Sequence, residues 1–78
     1  MADQELRETL RGVVAEVTEL DEIPDGKPFK ELGIDSMMAI EIIAELERRY
    51  KLKVAEPEIE KVNNLDTLVA LFSSKLTQ

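Results

Sequence analysis

Hydrophobic positions recur at helical spacing in three stretches of the chain and lose that spacing between them. Leu6, Leu10, Val13, Val14 and Val17 follow i, i+4, i+7, i+8 and i+11, one face of an amphipathic helix over residues 3–17. Asp3 suits its N-cap, and Glu5, Arg7, Glu8, Arg11 and Glu16 fill the outer face. Gly12 inside this pattern costs about 1 kcal/mol relative to alanine. A second helix is predicted over residues 36–50, where Met37, Ile40, Ile43, Ala44, Leu46 and Tyr50 recur at spacings of three and four. Met37, Ile40, Ile43 and Ala44 set its inward stripe. Met38, one step of about 100° from Met37, falls outside the centre of that stripe and should be partly exposed. Glu41 and Glu45 come before Arg48 and Arg49, in the order the helix dipole favours. A last helix is predicted over 65–76, capped by Asn64, with Leu65, Leu68, Val69, Leu71, Phe72 and Leu76 facing in.

Residues 18–35 have no period. Pro24, Gly26, Pro28 and Gly33 punctuate them, yet Leu20, Ile23, Phe29, Leu32 and Ile34 are apolar. A connection this long in a small domain should pack across the helices. A link at 51–56 precedes Pro57, which suits the first turn of a short helix over 57–62 with Ile59 and Val62 inward. The fold class is all-α: a small four-helix bundle, three longer helices and one short, with a long first connection, over a single domain spanning 1–78.

Composition narrows what such a bundle does. A chain of 78 residues is one domain at most and buries only about 60–65% of its unfolded surface. The formal net charge is −7, and residues 1–26 alone hold eight acids and two bases. That balance argues against nucleic acid and anionic membrane surfaces and points to a basic partner. There is no Cys and no His, which removes thiolate nucleophiles, zinc–thiolate sites and the usual general base. The first residues are charged and helical rather than a signal peptide, and no apolar run approaches about 18 residues. The expected setting is cytoplasmic, as a monomer without membrane insertion. Paired carboxylates occur only as ordinary helix-surface residues, so an autonomous enzyme is not expected.

The informative stretch is Leu32-Gly33-Ile34-Asp35-Ser36-Met37. An Asp-Ser pair alone reads as a helix start, since both residues suit an N-cap. Its context is more specific: aliphatic residues and Gly33 precede it, an apolar-periodic helix with acidic outer positions follows, and the serine falls near mid-chain. In this context the chain resembles the acyl carrier protein family. The segment LGIDSMMAIEIIAELERRY is similar to the family's attachment signature, Leu-Gly-x-Asp-Ser-Leu followed by an apolar and acidic helix. The tail VAEPEIEKVNNLDTLVALF is similar to its third and fourth helices.

The resemblance implies that Ser36 receives 4′-phosphopantetheine from coenzyme A, installed by a separate Mg²⁺-dependent phosphopantetheinyl transferase. The terminal thiol then holds acyl groups as thioesters for acyl-transferring or synthase enzymes with basic docking surfaces. Ser36 has no base beside it, so any activating base belongs to the transferase. The phosphodiester would sit at the positive end of the helix dipole. Asp35 opposes that anion and is assigned to transferase recognition, with Met37, Met38, Glu41 and Glu47 as further docking positions. Acyl chains are implied to enter between the second and third helices. Ile40, Ile43, Ala44, Leu46, Ile59, Val62 and Leu68 are therefore the pocket candidates, with the small Ala44 enlarging the opening. Met38, and Arg48-Arg49, stand where the fatty-acid type is often acidic. A specialised carrier for polyketide-like or unusual lipid acyl groups is thus expected at least as much as a housekeeping one. A peptidyl or aminoacyl carrier, or an unmodified acidic interaction module, is the alternative.

Overall fold

Helices form where the periodic stretches lie, and each buries the face its neighbours cover. The structure, a computed structural model, describes residues 3–76. It contains α1 (Asp3–Thr18), α2 (Ser36–Tyr50), α3 (Glu56–Ile59) and α4 (Leu65–Leu76), with one 3-10 turn at Phe29–Leu32. The cap expected of the Asp3 side chain lies outside the described residues. Helix α1 runs one residue past its predicted end. Thr18 donates its hydroxyl to the Val14 carbonyl at 2.7 Å, and Glu19 leaves the helix at φ +61°.

One core runs through the described residues. Leu6, Leu10, Val13 and Val14 of α1 meet Ile42, Ile43 and Leu46 of α2 and Leu65, Leu68, Val69 and Phe72 of α4. Tyr50 flanks Phe72 with ring centroids 6.1 Å apart. The radius of gyration is 11.3 Å, against roughly 11.5 Å expected for a compact domain of this length. Among the described residues no helix is long and apolar enough to cross a membrane.

Three expectations about facing are corrected. Met37 and Ile40 were placed in the inward stripe of α2, but they are 73% and 52% exposed. Ile42, absent from that stripe, is buried instead. The inward face is rotated by about one residue because the Ile42–Leu46 side is the one packed against α1 and into the common core. Met38 is half-buried against the core, partly exposed as its place beside the stripe predicts. Leu76 is exposed at the end of α4, beyond the reach of the bundle. Helix α3 is shorter than the expected 57–62. It closes after one turn because the chain must bend for the Asn63 carbonyl to accept the Phe29 amide at 2.7 Å and for Asn64 to cap α4. Asn64 does so with its Oδ1 on the Thr67 amide at 2.8 Å, while Thr67 Oγ1 accepts the Asn64 amide at 3.0 Å.

The first connection packs across the bundle as expected. Ile23, Phe29 and Ile34 are buried. Both bases of the N-terminal third hold it down: Arg11 donates to the Ile23 carbonyl and lies 2.6 Å from Asp25, and Arg7 lies 3.5 Å from Asp25 as well as 2.6 Å from Asp66 of α4. Asp25 in turn accepts the Asp66 amide at 3.1 Å through its carbonyl. Glu16, Glu19, Asp21 and Glu22 crowd the other end of α1, where no base offsets the helix dipole. Exposed ion pairs contribute about 0–1 kcal/mol each, so repulsion should dominate the response to salt. The melting temperature is expected to rise with NaCl, by about 4–8 °C for each kcal/mol of repulsion screened. A melting temperature that falls with salt would show the Arg7 and Arg11 pairs to be the larger effect.

Helix α3 is tied on by Glu58. Its carboxylate accepts the Ala55 amide at 3.0 Å and lies 3.0 Å from Lys75 of α4. The amide first, and then the ammonium, hold Glu58 below the usual carboxylate range. A depressed carboxylate contributes stability above its unfolded pKa and loses it as pH falls through the lower folded value. Glu58→Gln should therefore cost stability at neutral pH, with the gap to the parent closing below about pH 4. Denaturant titrations of both proteins across pH check this; a gap constant with pH would refute it.

Candidate functional site

The turn into α2 has a local physical reason at each position. Leu32 ends the 3-10 turn half-buried. Gly33 takes φ +82°, a left-handed conformation that costs an L-residue side chain about 1–2 kcal/mol. Its amide donates to the Lys30 carbonyl at 3.2 Å, and Ile34 donates to Phe29 at 2.9 Å while burying its side chain. Asp35 is extended and caps the helix: its Oδ1 accepts the Met38 amide at 2.9 Å. Ser36 then becomes the first helical residue and is exposed. Asp35 supplies the cap, which leaves the Ser36 hydroxyl turned to solvent with no hydrogen bond recorded among the described residues.

Ser36 opens onto a groove of about 590 Å³. Ile34, Ala39 and Ile40 form one wall and Ile59 and Val62 the other, with Lys30 and Asn63 also lining it. Of the pocket candidates, Ile40, Ile59 and Val62 line this groove. Ile43, Leu46 and Leu68 do not: they are buried between α1, α2 and α4. Ala44 does not either. It lines a separate groove with Arg48, Lys51, Leu52 and Lys53, so its small side chain cannot enlarge the opening beside Ser36. Spacing missed Lys30 and Asn63, because the first connection and the α3–α4 turn meet only in the fold.

The docking candidates fall into two groups. Asp35, Met37 and Glu41 are exposed beside or one turn beyond Ser36. Met37 and Ile40 are two of the three large hydrophobics exposed among the described residues, and both lie on the first half of α2. Glu47 is different. It is half-buried, and its Oε2 accepts the Val54 amide at 2.7 Å. This carboxylate holds the chain that follows α2, so it is withdrawn from the acidic face on which it was expected.

The geometry suits a covalently attached phosphate group. The hydroxyl is exposed, the helix N-terminus behind it favours an anion, and an apolar groove begins beside it. The chain matches the family described as the phosphopantetheine attachment site over residues 8–72. It is 41% identical over 73 residues to the polyketide-8 synthase acyl carrier protein 2 of Streptomyces avermitilis, covering 90% of this chain and 84% of that one. It is 31% identical over 77 residues to an anthracycline acyl carrier protein of Streptomyces peucetius, covering 92% and 87%. The crystal structure of an acyl carrier protein from Thermotoga maritima superposes with a TM-score of 0.83 at 25% identity, covering 96% of this chain and 91% of that one. With the capped serine, its groove and these likenesses together, the chain belongs to the acyl carrier proteins, whose prosthetic group is phosphopantetheine.

Proposed function

We propose that Ser36 is the attachment residue and that residues 1–78 act as one carrier domain for polyketide-type acyl chains. The observation that carries this reading is the exposed Ser36 hydroxyl, freed by the Asp35 cap, at the mouth of the apolar groove. The prosthetic group, when bound, supplies a thiol that holds the acyl chain as a thioester. The protein's own residues position it. Helix α2 presents the hydroxyl, and the first-turn amides that Asp35 does not occupy would face the phosphodiester of the bound group. Ile40, Ile59 and Val62 offer an apolar surface to the carried chain, while Lys30, Asp35, Glu60 and Asn63 give the same groove a polar edge. That mixture suits a chain bearing carbonyl oxygens better than a plain alkyl chain, which supports polyketide over housekeeping fatty acid work.

We read the protein as a carrier without catalysis of its own: among the described residues Ser36 has no hydrogen bond to a general base, and the adjacent Asp35 carboxylate is engaged on the Met38 amide. The transferase and the enzymes that use the loaded arm approach over Asp35, Met37 and Glu41, and a basic surface with an apolar centre fits them. The setting is cytoplasmic. Intact mass after incubation with coenzyme A and a broad phosphopantetheinyl transferase tests the reading. One added phosphopantetheine, mapped to Ser36 by peptide fragmentation, is expected. No addition, or addition elsewhere, overturns it.

A further inference from the structure

The end of α2 farthest from Ser36 carries charge opposite to that of the molecule as a whole. Arg48, Arg49, Lys51 and Lys53 place four cations within six residues of a chain whose net charge is −7. Arg48 pairs with Glu45. Arg49, Lys51 and Lys53 are exposed and, among the described residues, none has an acid within 4.0 Å. Glu47, the nearest acid along the helix, is held on the Val54 amide.

Helix-dipole stabilisation accounts for Arg48 and Arg49, which lie in the last turn. It does not account for Lys51 and Lys53, which follow the helix. Lys51 also holds φ +55°, a conformation that glycine or asparagine would adopt at lower cost. Of the other two long helices, α1 has no base in its last turn and α4 has Lys75 alone, which is paired with Glu58. Beside three of these cations lies a groove of about 400 Å³, lined by Ala44, Glu47, Arg48, Lys51, Leu52 and Lys53; Glu47, its one acid, is the carboxylate held on the Val54 amide. Ala44 and half-buried Leu52 give it apolar lining beside the charges.

We infer that this groove is a second docking surface and takes an acidic segment of the enzyme that uses the loaded arm. The inference rests on the carrier reading and specifies the partner's chemistry. Ser36 and Arg49 are thirteen residues apart on one helix, about 20 Å at the α-helical rise. A partner presenting bases towards Asp35 and Glu41, and acids about 20 Å further along, is held in one orientation. A uniformly basic partner is attracted at one end of α2 and repelled at the other, which discriminates against enzymes built for a wholly acidic face.

The test titrates the ¹⁵N-labelled chain at low salt with a decapeptide alternating Glu and Ala, and repeats it with R49Q/K51Q/K53Q. Amides from Ala44 to Lys53 should shift, those around Lys27, Lys30 and Lys61 should not, and the triple variant should bind about tenfold or more weakly. Phosphopantetheine loading of the variant should equal that of the parent. Absent shifts, or shifts spread over every lysine, overturn the proposal. Equal shifts with a thymidine decamer, or the same shifts on concentrating the chain alone, assign the groove to nucleic acid or to a second copy and also overturn it. Loss of loading in the variant overturns the two-surface scheme by placing the groove in the transferase contact. Failure of the parent chain to load would remove the carrier reading, while the peptide shifts would still decide whether the groove takes an acidic segment.

Discussion

Phe72→Ala is expected to lose about 3–5 kcal/mol, a large share of the stability this domain has. Phe72 is fully buried in α4 and flanked by Tyr50 of α2, so no solvent or mobile segment stands ready to fill the space. A chain of 78 residues has about 4–12 kcal/mol in total. With only three aromatic residues, its core has little other bulk to collapse inward. Urea unfolding followed by circular dichroism measures the difference. Leu76→Ala is the control. Its residue shares the apolar pattern of α4 but is exposed, and a change within about 0.5 kcal/mol is expected. Equal costs at the two positions would mean that the burial described for α4 is wrong.

Ser36→Ala should abolish loading and leave the fold intact. The hydroxyl is exposed and Asp35 supplies the cap, so the stability change should stay within about 0.5 kcal/mol. Asp35 separates into two roles. Asp35→Ala removes the cap and should cost about 1 kcal/mol. Asp35→Asn keeps a side-chain oxygen for the Met38 amide but removes the charge beside the serine. It should hold stability while slowing loading about tenfold. Loading rates and unfolding free energies for all three variants check this. Unchanged loading in Asp35→Asn would leave Asp35 with a structural role only. A loaded Ser36→Ala protein would falsify the attachment assignment.

The turn into α2 was legible in the sequence because each of its residues answers a local demand. A left-handed turn needs Gly33, a helix start needs Asp35, and the next residue is left outward. The inward face of α2 was not legible. Ile40, Ile42 and Ile43 give two apolar faces that periodicity ranks alike, and contacts with α1 and α4, distant in sequence, decide between them. The role of Glu47 was hidden for a related reason. Its partner is a backbone amide seven residues on, and no spacing rule says where the chain turns after a helix. Ala44 was read as making room for cargo, but a small residue says nothing about which groove it lines. The four helices were recovered because amphipathic period survives tertiary packing. The length of α3 was not, because the Phe29–Asn63 hydrogen bond that ends it joins segments 34 residues apart.

The packing of α1 on α4 has a consequence for how the protein is made. Helix α1 leaves the ribosome before α4, with Leu6, Leu10, Val13 and Val14 on one face, but part of what covers them belongs to α4. At about 5–20 residues per second, the stretch between the two helices takes roughly 2–10 s to synthesise. Through that interval the nascent chain carries an uncovered aliphatic stripe beside a dense run of acids. The same acids that repel one another in the finished domain also disfavour contact between such stripes on neighbouring nascent chains.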